Sequence, residues 1–124
     1  MADHRATLGR QAEDAAARAL ERAGLTVVER NVRFRAGELD LVCRDGAAWV
    51  FVEVKARQAR WVDAPGAAVE WWKRRRLVRL AQLYLKRRGL DAVPCRFDVV
   101  AVTIGDDGRV DVRHLRAAFD ASDA

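Results

Sequence analysis

Two short stretches, GELD at 37–40 and FVEVK at 51–55, hold the side chains with the most chemistry in them. Val50, Val52 and Val54 alternate with Phe51, Glu53 and Lys55. Successive strand side chains point to opposite faces, so one face is all valine and the other changes from aromatic to charged. Asp45-Gly46, between the stretches, is a strong signal for a two-residue hairpin turn. That turn pairs Arg44 with Ala47, Asp40 with Phe51 and Glu38 with Glu53. Glu38, Asp40, Glu53 and Lys55 then project from one side, with Asp40 and Glu53 diagonal neighbours about 7 Å apart at Cα. An odd-length loop would reverse that parity. Carboxylates crowded in this way raise one another's pKa, and a divalent cation between them relieves the repulsion. Mg²⁺ suits carboxylate oxygens together with waters and a substrate phosphate. The plainer alternative is an ion pair, with Lys55 neutralising Glu53 or Glu38 on a half-exposed sheet face.

The elements that must hold these residues follow from periodicity. Leu8, Ala12, Ala15, Ala19 and Ala23 recur at helical spacing over 7–23, a small-residue stripe that lets a helix sit close to a sheet, and Gly24 is a good stop. Strands are expected at 25–33, 38–43 and 47–56, and a loop with Pro65 and Gly66 over 58–66. A long helix at 67–88 ends at Gly89. A fourth strand covers 96–104, a GDDG turn 105–108 and a short fifth strand 109–113, with a last helical turn at 114–119. The order αβββαββ argues for an α/β (α+β) fold, one mixed central sheet flanked by helices in one domain spanning 1–124.

The chain has 124 residues, half of them apolar (51%), and a net charge of +5. That is enough apolar matter for a core and too much for a disordered chain. The basic balance fits a polyanion, nucleic acid before an acidic membrane. Cys43 and Cys95 read as reduced, partly buried strand residues, too few for a zinc site. With no signal-peptide pattern and no long apolar run, the expectation is a cytoplasmic protein without a membrane span.

Only Lys55, Lys73 and Lys86 are lysines, against 20 arginines. In WWKRRRLVRLAQLYLKRR, Val69, Trp72, Leu77, Leu80, Leu83 and Tyr84 form a broad apolar helical face. Arg74, Arg75, Arg79 and Lys86 fall outside it and read as plain surface charge. Lys73 and Arg76 fall within it, so each must meet a carboxylate or reach past the core edge; Lys73 is expected at the mouth of the acidic site. Arg33, Arg35 and Arg57 flank the carboxylates and are the better phosphate ligands. Trp61 stacks on a base or anchors its loop. Asp98 is a further site carboxylate or the partner of Arg96.

Taken together, GELD and FVEVK resemble the signature of the PD-(D/E)xK nucleases, and nearly the whole chain is similar to the bacterial YraN-like family. Gly9 and Glu13 match the opening helix motif of that family, and Asn31, Arg33 and Arg35 its N-x-R-x-R lead into G-E-x-D. Lys73, Arg75, Leu77, Ala81, Tyr84 and Leu85 match its long helix, and Arg96-Phe97-Asp98-Val99 its R-F-D-V strand. Ala12 and Ala56 depart from its usual Gly and Thr. The resemblance implies a restriction-endonuclease-like fold and a nuclease using Mg²⁺ or Mn²⁺ on DNA rather than RNA, on branched or damaged forms, with a homodimer as a fold-level expectation. It implies that Asp40, Glu53 and the Val54 carbonyl hold the metal, with Glu13 completing the shell. Lys55 would orient or deprotonate the attacking water. Glu13 also reads as a solvated helix residue near Arg10, and Glu38 as a second-shell ligand or a plain neighbour of Glu53. A non-catalytic nucleic-acid-binding protein that keeps the fold is the alternative function.

Overall fold

The computed structural model describes residues 4–58 and 71–121. Trp61, most of the expected 58–66 loop, and the 67–70 start of the long helix lie outside the described residues. The elements are α1 (His4–Arg22), β1 (Thr26–Phe34), β2 (Gly37–Asp45), β3 (Ala48–Gln58), α2 (Trp71–Arg87), β4 (Cys95–Ile104) and β5 (Val110–Phe119). The strands form one sheet in the order β1-β2-β3-β4-β5, parallel only between β3 and β4. A parallel pair needs a long crossover, and α2 lies in it. The expected αβββαββ order therefore stands.

Each helix covers one face of the sheet. Ala12, Ala15, Ala16 and Leu20 of α1 pack on Leu41, Cys43, Val50, Val52, Val100 and Val102. These alanines have little side chain to separate helix from sheet, so Val50 and Val52 are almost fully buried under them. The stripe turns through Ala16 and Leu20, whereas the expected Ala23 is exposed. On the other face, Leu77, Val78, Leu80, Ala81 and Tyr84 of α2 meet Val42, Trp49, Phe51, Phe97, Val99 and Phe119. The Phe97 and Phe119 rings stack at 5.1 Å, and Phe51 meets Tyr84 edge-on at 5.9 Å. Leu83, expected on the apolar face, is 38% exposed, and Val78 takes its place. Cys43 is buried and Cys95 exposed, and both are free thiols.

Three expectations need correction. The β2–β3 hairpin pairs Asp45 with Ala48, so its central residues are Gly46 and Ala47. Gly46 has φ 60, as the first central position of a II′ turn requires; centring the turn one residue earlier would have put Asp45 at positive φ. The register therefore moves by two residues, which keeps every β3 side chain on its expected face but brings Asp40 into line with Glu53 instead of Phe51. Second, residues 114–119 are not helical. β5 runs on to Phe119, paired with Phe97, after a bulge at which Ala117 has φ 48. Third, the carboxylates do not all share a face, for a reason that lies in β1 and β2.

Asp98 explains the β5 bulge. Fully buried, it accepts hydrogen bonds from Arg96 at 2.9 and 3.1 Å and from the Ala117 N–H at 2.9 Å, and its Oδ2 lies 2.7 Å from His114 Nε2. Arg96 also reaches Asp45 at 2.8 Å. Asp98 is thus the partner of Arg96, and it ties β4 to β5 while Arg96 ties both to the end of β2.

Candidate functional site

β1 and β2 change face together at one point. Leu41 packs under α1 while Leu39, two residues earlier, packs under α2. Opposite them, Arg30 bonds Asp14 of α1 at 2.6 Å, while Val32 belongs to the α2 core. The rungs Arg30↔Leu41 and Val32↔Leu39 are both formed, but Asn31 and Asp40 between them are not paired. Asn31 has φ 53, the left-handed region that Asn tolerates better than other residues bearing a Cβ. A single left-handed Asn thus turns both strands over. Its side chain hydrogen-bonds Glu13, so the kink also joins β1 to α1.

Asp40 is released from the ladder at this kink. The β2–β3 pairing ends at Leu41↔Val52. Beyond it the Val54 N–H, which would have met a β2 carbonyl, donates to Asp40 Oδ2 at 2.9 Å. The N–H and C=O of one strand residue point the same way, so the Val54 carbonyl faces the same opening. The Asp40 and Glu53 carboxyls face each other at this opening, close enough for each to act on the other. Burial, then the charge of Glu53, pushes Asp40 up to about 7 against the pull of the Val54 N–H. Burial raises Glu53 as well; its bond with Asp40 and the charges of Lys73, Arg76 and Lys55 act in the opposite direction.

The structure therefore gathers Asp40, Glu53, Lys55, Lys73 and Arg76 at one end of the sheet, Lys55 from β3 two residues after Glu53 and the other two cations from the start of α2. The Lys73 charge acts on Glu53. Glu13 is half-buried on α1. Burial, then the nearby Asp40 charge, raises it. Glu38 stands apart from the Asp40–Glu53 pair: alternation from Leu39 turns it to the α1 side, where it pairs with Arg33 at 3.4 Å, and its charge acts on both Glu13 and Asp40. Arg33 and Arg35 are exposed, Arg35 at the tip of the β1–β2 turn, and Arg57 is half-buried, two residues beyond Lys55 on β3.

A model of the uncharacterised protein family UPF0102 matches residues 12–102. A UPF0102 protein of Symbiobacterium thermophilum is 52% identical over 92% of this chain and 97% of its own. One from Dechloromonas aromatica is 50% identical, covering 93% and 90%, and one from Rhodococcus jostii 43%, covering 94% and 98%.

The chain belongs to the UPF0102 family. This family is related to the YraN-like proteins within the PD-(D/E)xK-like clan, in agreement with the motif resemblance and with the mixed sheet. UPF0102 membership brings no metal with it, and among the described residues no three His, Cys, Asp or Glu side chains gather closely enough to cage an ion. Asp40 and Glu53 alone still fit a hard cation. Mg²⁺ keeps several waters and takes one or two carboxylates plus substrate phosphates rather than an all-protein cage, and two half-buried acids that repel each other are an oxygen pair that a cation would relieve. Among the described residues, no helix is long and apolar enough to cross a membrane.

Asn31 is the site residue that residue-by-residue reading undervalued. Apart from its place in the N-x-R-x-R motif, its signal in the sequence is a poor strand former inside TVVERNVRF. Asn31→Val should cost roughly 1–3 kcal/mol in urea unfolding, because a β-branched residue resists positive φ. Asn31→Gly should keep the backbone and lose only the bond to Glu13. Equal stability of the two variants would remove the kink from the account of the site.

Proposed function

We propose that this UPF0102 protein is a metal-dependent nuclease that hydrolyses phosphodiester bonds in DNA, including branched or damaged forms. The observation that carries the reading is the half-buried Asp40–Glu53 pair with the charges of Lys73, Arg76 and Lys55 acting on it. Two acids face each other across one opening with three cations around them, an arrangement that concentrates charge of both signs where a metal ion and a phosphate would meet.

Asp40, Glu53 and the Val54 carbonyl would hold Mg²⁺ or Mn²⁺, with Glu13 of α1 completing the shell. Bound there, the ion supplies charge neutralisation to the phosphate and lowers the pKa of water. Lys55 orients the attacking water and exchanges a proton with it, which an arginine at this position could not do. Lys73 and Arg76 offset the charge that builds on the phosphate oxygens as the P–O bond to the leaving group breaks. Glu38 steadies Arg33 beside the acids, and Arg33, Arg35 and Arg57 meet flanking phosphates.

The test is cleavage of duplex, single-stranded and four-way DNA, and of RNA, with Mg²⁺ or Mn²⁺. Glu53→Gln and Lys55→Ala proteins, purified in parallel, should each lose roughly 100-fold or more. Activity surviving in both variants would reject the reading. The absence of a three-carboxylate cluster among the described residues favours one other reading, a non-catalytic nucleic-acid-binding protein. Salt-sensitive DNA binding without metal-dependent cleavage would establish it.

A further inference from the structure

The outer side of α2 carries a feature that the acid pair does not use. An open groove of about 600 Å³ is lined by Arg75, Arg76, Arg79 and Gln82 of α2, by Ala36 of the β1–β2 turn and by Ala121 beyond β5. Arg75, Arg76 and Arg79 are all exposed. From the sequence, Arg75 and Arg79 were expected to be plain surface charge; the structure puts them in one concavity with Arg76.

We infer that this groove binds the phosphodiester backbone of the nucleic-acid strand on which the proposed nuclease acts, and so sets the path along which the strand reaches the acid pair. The inference rests on the nuclease reading and extends it to a route.

Three observations support the route. Arg76 belongs to both places: its side chain lies over Gly37, where an added Cβ would be 3.4 Å from Arg76 Cδ, and its charge acts on Glu53. A polyanion in the groove is thereby led towards Asp40 and Glu53. Second, the charge pattern works against the helix. Lys73, Arg74, Arg75 and Arg76 sit in the first turns of α2, with no acidic residue along its length. Cations there oppose the helix dipole, and Arg75 and Arg79 are like charges one turn apart. The arrangement weakens an isolated helix, and a bound polyanion would offset that repulsion. Third, the cations are arginines, whose planar donor fork grips phosphate oxygens two at a time, and Gln82 adds a neutral donor. A buried peptide side chain finds little here, since the groove is wide open and charged.

The test is binding of fluorescein-labelled 30-nucleotide single-stranded and duplex DNA in EDTA, where cleavage cannot interfere, across a salt series. Arg75→Ala/Arg79→Ala should weaken binding roughly tenfold, whatever the DNA sequence, and should lower the slope of log K against log salt by about 2. An Arg109→Ala/Arg113→Ala control, equal in charge loss but just before and on β5, should leave both unchanged. If the α2 variant binds as wild type does, or the control weakens binding equally, the groove is overturned. If poly-glutamate displaces DNA at matched charge concentration, the groove is a general acidic-chain site and the inference also fails. Each of these results can arise while the wild-type protein still cleaves DNA, so failure of the groove and failure of the nuclease reading are told apart.

Discussion

Asp40→Asn should make the metal-free protein more stable at pH 8, by about 2–4 kcal/mol or on the order of 10 °C in Tm. Asp40 is half-buried against Glu53, and partial burial with the Glu53 charge raises its pKa from 3.8 to about 7. A carboxyl group with a raised folded-state pKa stabilises the fold below its unfolded pKa and loses that contribution as pH climbs through the folded value. The metal-free wild-type protein should therefore weaken steadily between about pH 4 and pH 7, while the Asn variant keeps most of its stability across that window. Asn preserves shape and can still accept the Val54 N–H that Asp40 takes at 2.9 Å, so the change isolates charge. The same variant should lose cleavage. Mg²⁺ or Mn²⁺ should raise the Tm of the wild-type protein and not of the variant, since only a ligand that binds the folded state shifts its stability. Stability traded for a charged site is the usual mark of a functional one. A variant less stable than wild type at pH 8 would contradict the picture of two acids forced together.

How much of this was legible in the sequence depended on the range of the cause. The five strands and two helices follow from local alternation and helical spacing, and the capping glycines end both helices: Leu25 N–H reaches the Leu20 carbonyl at 3.0 Å and Leu90 N–H that of Leu85 at 2.9 Å. Glu53 and Lys55 share a face for the same local reason. The hairpin was misjudged by two residues because Asp45-Gly46 and Gly46-Ala47 are both acceptable turn centres, and only pairing along the whole hairpin decides between them. The face reversal at Asn31 and Asp40 breaks alternation in two strands at once, so a rule that assumes alternation carries Glu38 to the wrong side. Residues 114–119 look helical in isolation; they are a strand because a buried carboxylate two strands' length away in sequence holds the Ala117 N–H. Arg75 and Arg79 lie outside the apolar face on a helical wheel, which says nothing about what stands beside them in space.

Asp98 offers the opposite sign from Asp40. Asp98→Ala should destabilise the protein by roughly 3–5 kcal/mol, a large share of the total stability of a small domain. Burial alone would raise its pKa, but the bonds from Arg96, the Ala117 N–H and His114 outweigh burial and hold it below the usual value of 3.8. Removing this carboxylate leaves Arg96 and His114, with side chains 18% and 16% exposed, without their shared partner, and it releases the Ala117 N–H at the β5 bulge. Asp98→Asn should fall between alanine and wild type, since it can serve the N–H but not balance the guanidinium. The pH dependence also inverts. A depressed carboxyl stabilises the fold above its unfolded pKa and stops doing so as pH falls through the folded one, so the gap between wild type and Asp98→Asn should be widest at neutral pH and close below about pH 4. Urea unfolding of both variants at pH 7 and pH 3.5 reads this directly. A cost for Asp98→Ala under 1 kcal/mol at pH 7 would show that β5 is held by its packing alone. Each aspartate accepts a backbone N–H, from Ala117 and from Val54, but Asp98 faces an arginine and Asp40 a second acid, and that contrast separates the carboxylate that secures the fold from the one that strains it.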